Sequence, residues 1–179
     1  MQLDAKLKLE SAKICLRPLT AADAREEYCG WLNDPAVNQY LEVRFQKHDL
    51  PSLKEYIEKM NADPDSVNFA IVRKDTGKHI GNIKLGPINR HHLFGEIGLM
   101  IGDKSSWGQG IATEAIKLIT EYGFKVLKLH KITAGAYEPN RGSVKAFLKA
   151  GFSEEGLQKR RYRFGDTYVD GIKLGKIND

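Results

Sequence analysis

The stretch SSWGQGIATEAIKLITEYGF, Ser105 to Phe124, constrains the fold more than any other part of the chain. Ile111, Ala115, Leu118, Ile119, Tyr122 and Val126 recur at helical spacing and predict an amphipathic helix with one face in a core. The helix opens on two glycines one residue apart, Gly108 and Gly110, with no acidic cap. Helices usually begin on Ser, Thr, Asp or Asn, whose side chains satisfy the unpaired N–H groups of the first turn. A helix that omits such a cap leaves those amides free for something else.

The segments around it supply a sheet. AKICLRPL reads as a short strand, and Thr20 as the N-cap of a helix through AADAREEYCGWLND, with Asp23 in its first turn and Pro35 as its stop. LPSLKEYIEKMNAD predicts a second helix with Leu53, Tyr56, Ile57 and Met60 on one face. VNFAIVRKDTGKHIGNIKLGPI holds two β-rich runs around the Asp/Gly loop KDTGK, which predicts a hairpin. A third antiparallel strand follows from Phe94 to Ile101. After the glycine-led helix come a strand, HKITAGAY, a helix, NRGSVKAFLKAGF, closed by Gly151, and a last hairpin around Gly165-Asp166. This order predicts one domain over residues 1–179, an α/β (α+β) sandwich around a mixed, mostly antiparallel sheet flanked by helices.

Composition narrows the function classes. Apolar residues make up 41% of the chain, enough for a packed core and against disorder. No apolar run approaches eighteen residues, and the N-terminal MQLDAKLKLESAKICL has no continuous apolar region, so neither a membrane span nor a secretory signal is expected. Cys15 and Cys29 stand in no metal or redox spacing, which fits a cytoplasmic protein whose cysteines serve packing. The net charge of +5 admits an anionic partner, but a solvated lysine-rich surface accounts for it more simply. The densest basic run is QKRRYRF, Gln158 to Phe164. A nucleic-acid module would rest on charge alone, without interleaved aromatic and basic residues in a recognised module. His91 and His92 lack a helical i, i+4 partner or a nearby cysteine, so no metal site is expected. Trp31 and Trp107 suit a core or a ligand wall.

The glycine loop is neither a dinucleotide fingerprint nor a Walker loop, because G-x-G-x-x-G and G-K-S/T are both absent. The amides of Gly108, Gln109, Gly110, Ile111 and Ala112 can still converge on an anion at a helix N-terminus. In order, the strand EIGLMIG, this loop, the long helix, the strand KITAGAY and the N-x-x-S…GF segment resemble the GNAT superfamily of acetyl-CoA-dependent N-acetyltransferases. That family's pyrophosphate loop reads Q/R-x-x-G-x-G/A. WGQGIA matches it at Gly110 and Ala112 and departs at Trp107. The departure, the following ATEA, the opening ICLRPLTAADAREEYCGWLNDPAV and NRGSVKAFLKAGF are similar to the branch of ribosomal-protein N-terminal acetyltransferases. The resemblance spans nearly the whole chain and says little of the acceptor.

The resemblance implies acetyl-CoA as co-substrate. Its pyrophosphate would lie on the loop Trp107, Gly108, Gln109, Gly110, Ile111, Ala112 and Thr113. Leu99, Met100 and Ile101 would bond the pantetheine arm and acetyl carbonyl through the backbone, and Asn140 and Ser143 would touch the arm. It further implies Glu96 as the base that receives the ammonium proton. Many members carry a Tyr seven residues beyond the Asn to protonate the thiolate. Here that position is Phe147, and Ser143 is the nearest substitute. On chemistry alone Asn140 is also a natural N-cap, and Glu96 a strand glutamate in solvent or paired with a lysine. Tyr137 would line the acceptor side or pack at a strand end. The expected reaction is direct transfer in a ternary complex to a protein N-terminus or to a small amine or amino sugar, including a nucleotide-linked one. A non-catalytic acyl-CoA-binding protein is the alternative that Phe147 permits. The sequence sets no oligomeric state.

Overall fold

The computed structural model describes residues 3–178. Eight strands form one sheet: β1 (Leu9–Glu10), β2 (Ile14–Pro18), β3 (Val67–Arg73), β4 (His79–Leu85), β5 (Phe94–Ile101), β6 (Lys131–Tyr137), β7 (Ser153–Phe164) and β8 (Thr167–Ile177). The spatial order is β1-β2-β3-β4-β5-β6-β8-β7. Every pairing is antiparallel except β5 with β6. That pair is joined by helix α4 (Ile111–Lys125), the crossover that a parallel connection requires. The other helices are α1 (Glu26–Asn33), α2 (Pro35–Asn38), α3 (Leu50–Ala62) and α5 (Arg141–Lys149).

Side-chain alternation along the strands divides the two faces. Phe69 and Ile71 of β3, Ile97 of β5, Ile132 and Ala134 of β6 and Leu174 of β8 point into the main core with Ile111, Ile116 and Ile119 of α4 and Phe147 of α5. Gly123 lets α4 settle on the sheet, since a Cβ there would meet Ile132 Cδ1 at 2.7 Å. On the other face, Ala70 packs with Tyr28, Trp31 and Leu32 of α1 and Leu53 and Ile57 of α3, with Val72 and Met100 at the margin. This second layer covers the β2–β5 half. Toward β6 and β8 the same face bears Glu96, Gly98, Thr133, Gly135 and Lys173, none of them fully buried. Sheet topology therefore makes a step, with helices on one side and a bare strand surface on the other.

Four local expectations change. Residues 20–34 form two pieces, a 3₁₀ turn at Ala21–Asp23 and then α1, because Thr20 and Asp23 close a capping box that ends in one turn. Pro35 stops α1 and also opens α2, where a residue without an N–H is tolerated. Tyr56 is 44% exposed although Leu53 and Ile57 are buried, and Val126 lies past the end of α4 at 59% exposure. β7 begins at Ser153, nine residues before the YRF run, and β1 is an added edge strand.

Candidate active site

The parallel ladder between β5 and β6 runs from Phe94–Lys131 to Ile97–Ala134 and stops there. Beyond it Gly98, Leu99, Met100 and Ile101 stay paired to β4 and the rest of β6 to β8 alone, so the two central strands splay apart. Gly98 and Gly135 are the first residues past the last pair, and both are exposed. A Cβ on Gly98 would meet nothing within 4 Å. A glycine in a strand interior weakens the strand and marks a place where something approaches the backbone closely. Here two of them leave the crotch of the splay without side chains.

The glycine loop stands at the open end of the splay. Gly110 is the N-cap of α4 in the left-handed conformation (φ 80°), with no side-chain cap, and Gly108 has φ 73°. Trp107, Gly108, Gln109 and Gly110 are exposed, and Ala112 and Thr113 are half-buried. Ile111 is buried in the core through its side chain. The loop is braced from outside. Trp107 Nε1 donates to the Ile101 carbonyl (2.9 Å) and Gln109 Nε2 to the Ser105 carbonyl (2.6 Å). Lys13 Nζ donates to the Gln109 carbonyl (2.7 Å) and Arg73 Nη1 to Gln109 Oε1 (2.9 Å). Glu114 ties α4 to the β1–β2 turn by accepting from Ser11 Oγ (2.6 Å). The result is an uncapped helix N-terminus with free amides, positive dipole and two cations beside it, a set of donors that fits a phosphate group. Lys13 and Arg73 are distant in sequence, and neither showed a motif that would have singled them out.

On the opposite face, Glu96 lies within the paired part of β5, one residue before the last pair, rather than at a strand end. Its carboxylate reaches across to β6. Glu96 Oε1, Tyr162 Oη and Lys173 Nζ all lie 3.7–3.8 Å from the point where a Cβ on Gly135 would sit. These three groups thus surround the crotch. The Glu96 backbone carbonyl accepts from the Gly86 N–H (2.8 Å), but its side chain forms no hydrogen bond or ion pair among the described residues, so it is not a lysine-paired glutamate. Tyr162 and Lys173 come from β7 and β8, and the signal that could have found them was the exposed-face glycine in the strand KITAGAY.

An aromatic wall closes this side. Tyr137 is buried, with its ring stacked on Tyr162 at 4.0 Å. Its hydroxyl donates to Glu42 Oε1 (2.6 Å) and accepts from Arg44 Nη1 (2.8 Å). Burial, then the Glu42 hydrogen bond, pushes this phenol above its usual range against the opposing effect of Arg44. Arg44 Nη2 donates to the Arg163 carbonyl (2.9 Å), and Tyr40 stacks on Phe164 at 5.4 Å. The packing expectation for Tyr137 is met by this burial and stacking. It packs at a strand end, and it faces the Glu96 side.

Beneath α1 lies a buried charge cluster. Arg17 donates to both carboxylate oxygens of Asp23 (2.8 and 2.6 Å), and the Thr20 N–H donates a third bond (2.9 Å). Burial raises the Asp23 pKa, but these donors together outweigh it and hold the carboxyl below its usual range. His79 Nδ1 stands 4.0 Å from Asp23 Oδ1, edge-on to Trp31 and Tyr28, and burial pushes this imidazole down. Trp31 packs over Gly102, where no Cβ would fit, and so belongs to the core.

On the main-core side, Asn140 caps α5 through Oδ1, which accepts from the Ser143 N–H (3.2 Å). Ser143 is half-buried. Phe147 is 2% exposed and edge-on to Phe152, so the position offers no proton. Cys15 is half-buried and Cys29 buried, and burial raises both thiols, which disfavours a thiolate nucleophile. His91 and His92 are exposed in the β4–β5 loop. Among the described residues there is no group of three His, Cys, Asp or Glu placed to hold a metal, and no helix long and apolar enough to cross a membrane.

A splayed parallel pair followed by an uncapped glycine-led helix is a distinctive arrangement, and comparison with known proteins identifies the family that carries it. The model of the acetyltransferase (GNAT) domain matches residues 13–153. The probable N-acetyltransferase YjcK of Bacillus subtilis is 30% identical, aligned over 95% of this chain and 97% of its own length. The spermidine N(1)-acetyltransferase of Escherichia coli K12 is 27% identical over 89% of this chain and 83% of its own. The structure of spermidine N-acetyltransferase from Vibrio cholerae in complex with CoA and spermine superposes with a TM-score of 0.82, covering 93% of this chain and 96% of that one, at 24% identity, a likeness of fold. The chain belongs to the GNAT acetyltransferase family and is an acyltransferase.

Proposed function

We propose that this enzyme transfers the acetyl group of acetyl-CoA to a primary amine by direct attack in a ternary complex. The observation that carries this reading is the glycine-floored crotch at Gly98 and Gly135, with the phosphate-ready loop on one side and the free carboxylate of Glu96 on the other. The amides of Gly108 through Thr113, with Lys13 and Arg73, would hold the pyrophosphate, and ligand phosphate takes the place of an N-cap side chain. The unpaired edge of Leu99, Met100 and Ile101 supplies backbone donors for the pantetheine arm and the acetyl carbonyl, and Asn140 and Ser143 flank the arm. Bound acetyl-CoA supplies the activated acyl group.

Glu96 receives the proton of the entering ammonium, directly or through one water, so that a neutral amine attacks. A C–N bond forms and the C–S bond breaks, and the proton lost from the attacking nitrogen reaches the departing thiolate by relay through the Ser143 hydroxyl or a water that Ser143 holds. A thiolate with a pKa near 8.5 needs little acid help, which makes Phe147 tolerable. Acceptors that fit this chemistry are a protein N-terminus and a small amine or amino sugar, nucleotide-linked or free, met in the cytoplasm.

The test is thermal. Acetyl-CoA at a hundred times its Kd should stabilise the fold by about 2.7 kcal/mol and raise the Tm accordingly. Gly110→Val should abolish the shift. Gly165→Val, at a left-handed position in the β7–β8 turn (φ 60°), controls for backbone strain and should retain it. Equal binding by both variants would remove the loop from the cofactor site.

A further inference from the structure

We infer that Lys173 selects the acceptor, so that an amine carrying an anionic group, carboxylate or phosphate, is acetylated in preference to neutral amines and polyamines. The inference rests on the transfer reading above and deepens it. Lys173 stands on β8 at the register of Gly135, half-buried, with its ammonium beside the crotch. Its backbone is paired in the sheet, but its side chain forms no ion pair or hydrogen bond among the described residues. A partly desolvated cation without a partner is costly, and a ligand anion relieves that cost.

Of the described carboxylates on this side, only Glu96 has an unengaged side chain; it faces the same point over Gly135 but forms no ion pair with Lys173, and the others are engaged. Glu155 pairs with Lys131 (2.7 Å), Glu138 with Arg141, Glu42 with the Tyr137 hydroxyl (2.6 Å), and Asp170 accepts from the Arg160 N–H (2.7 Å). Glu96 is left to receive the amine. Lys173 also lines a cavity of about 370 Å³ with Thr133, Glu155, Gly156, Leu157 and Gln158. Gln158 Oε1 is buried at this cavity with no hydrogen-bond partner, an acceptor waiting for a ligand hydroxyl or N–H. The bare face is thus divided into an amine position at Glu96 and an anion position at Lys173, both within 3.8 Å of one point over Gly135. A polyamine with one nitrogen on Glu96 would carry its next ammonium toward Lys173 and the Arg161 stem packed on Gly171. Like charges at that range disfavour it. This separates the chain from relatives whose names specify spermidine.

The experiment compares paired acceptors that differ in the anion: 2-aminoethyl phosphate against ethanolamine, β-alanine against 3-aminopropanol, and spermidine as the cationic extreme. The anionic member of at least one pair should be favoured about tenfold or more in kcat/KM, as expected of a hydrogen bond to a charged group. The two pairs distinguish phosphate from carboxylate. Lys173→Met, which keeps the apolar stem, should erase the preference, and Lys173→Glu should reverse it toward spermidine. Calorimetric binding of the same amines, with and without CoA, should give the same order without turnover. An unchanged Tm shift with acetyl-CoA shows that the variants are folded. Equal binding within both pairs, or a preference that survives Lys173→Met, overturns the inference. Absence of any acetyl-CoA binding would instead sink the transfer reading, while amine binding to the ligand-free protein would still decide the role of Lys173.

Discussion

The two sides of the splayed seam are built by different rules. On the proposed cofactor side, most parts come from one nearly continuous stretch, β5 through the glycine loop to α4 and then β6 to α5, and what they present is chiefly backbone, with Lys13 and Arg73 added from outside it. On the acceptor side, the parts are side chains from remote places. Arg44 reaches Tyr137 and the Arg163 carbonyl, Tyr162 stacks on Tyr137, and Glu96, Tyr162 and Lys173 each face the same point over Gly135. A ligand that never changes can be met by local backbone geometry, which tolerates substitution. A ligand that differs among relatives must be met by side chains, which can be exchanged without disturbing the sheet. The difference teaches where to look for specificity.

The sharpest way to break this comparison is Glu96→Gln. The substitution keeps shape and most hydrogen bonding and removes basicity. If the acceptor face is catalytic, kcat/KM at neutral pH should fall by about 10²- to 10⁴-fold, with partial recovery at high pH as free amine accumulates. Acetyl-CoA binding, a property of the other side, should not move. A variant with parental kinetics, or one that loses acetyl-CoA binding as well, would show that the two sides are not separate in function.

The same division explains what could be read from the chain. The glycine loop, the periodicity of α4, the KDTGK hairpin and the N-x-x-S helix start are local patterns, and each appears where the sequence places it. The family resemblance rests on those segments and is borne out by the family model. Of the residues grouped on the proposed acceptor face, the sequence singled out Glu96 and Tyr137 alone. Tyr162 and Lys173 looked like ordinary members of a basic, exposed hairpin, because nothing local says that β8 pairs with β6 and brings Lys173 opposite Gly135. Lys13 and Arg73 were invisible for the same reason, since they lie 96 and 36 residues from the Gln109 to which they donate. The interrupted helix after Thr20 was missed because Asp23, which looked like a first-turn acid, is consumed by Arg17.

That buried pair gives an intermediate effect that sharpens the comparison. The α1 layer beside the proposed acceptor face combines an apolar cluster with the Arg17, Asp23 and His79 charges, whereas α4 packs into the main apolar core. The Asp23 carboxyl is held below its usual range in the folded state. Its contribution is therefore complete above the unfolded value near 4 and is lost as pH falls through the folded value. His79 is pushed down, so the folded state resists its protonation, and stability begins to fall as pH drops below about 6.5. Acidification should weaken the protein in two steps, and amide exchange should quicken in α1 before α4. Asp23→Asn should cost about 1–3 kcal/mol at pH 7, the loss expected for a hydrogen bond to a charged group. Its difference from the parent should shrink below pH 4. Simultaneous opening of α1 and α4, or a constant difference across pH, would contradict this account.

The smallest expected effect asks whether the cofactor side is backbone alone. Ser143 is the one side chain there to which a proton-transfer role is proposed. It sits in the first turn of α5, half-buried, with its N–H held by Asn140. Its hydroxyl is offered as the donor, or the holder of a donor water, because Phe147 is buried and cannot give a proton. The thiolate leaves readily near its own pKa, so acid help is worth less here than base help is at Glu96. Ser143→Ala should lower kcat by about tenfold or less, with little change in the KM for acetyl-CoA, because the lost interaction would form only as the thiolate departs. Raising the pH should not rescue it, in contrast to Glu96→Gln. If kcat is unchanged while chemistry limits turnover, Ser143 is a structural residue and the cofactor side works through its backbone. If KM rises and kcat holds, Ser143 binds the pantetheine arm and moves no proton.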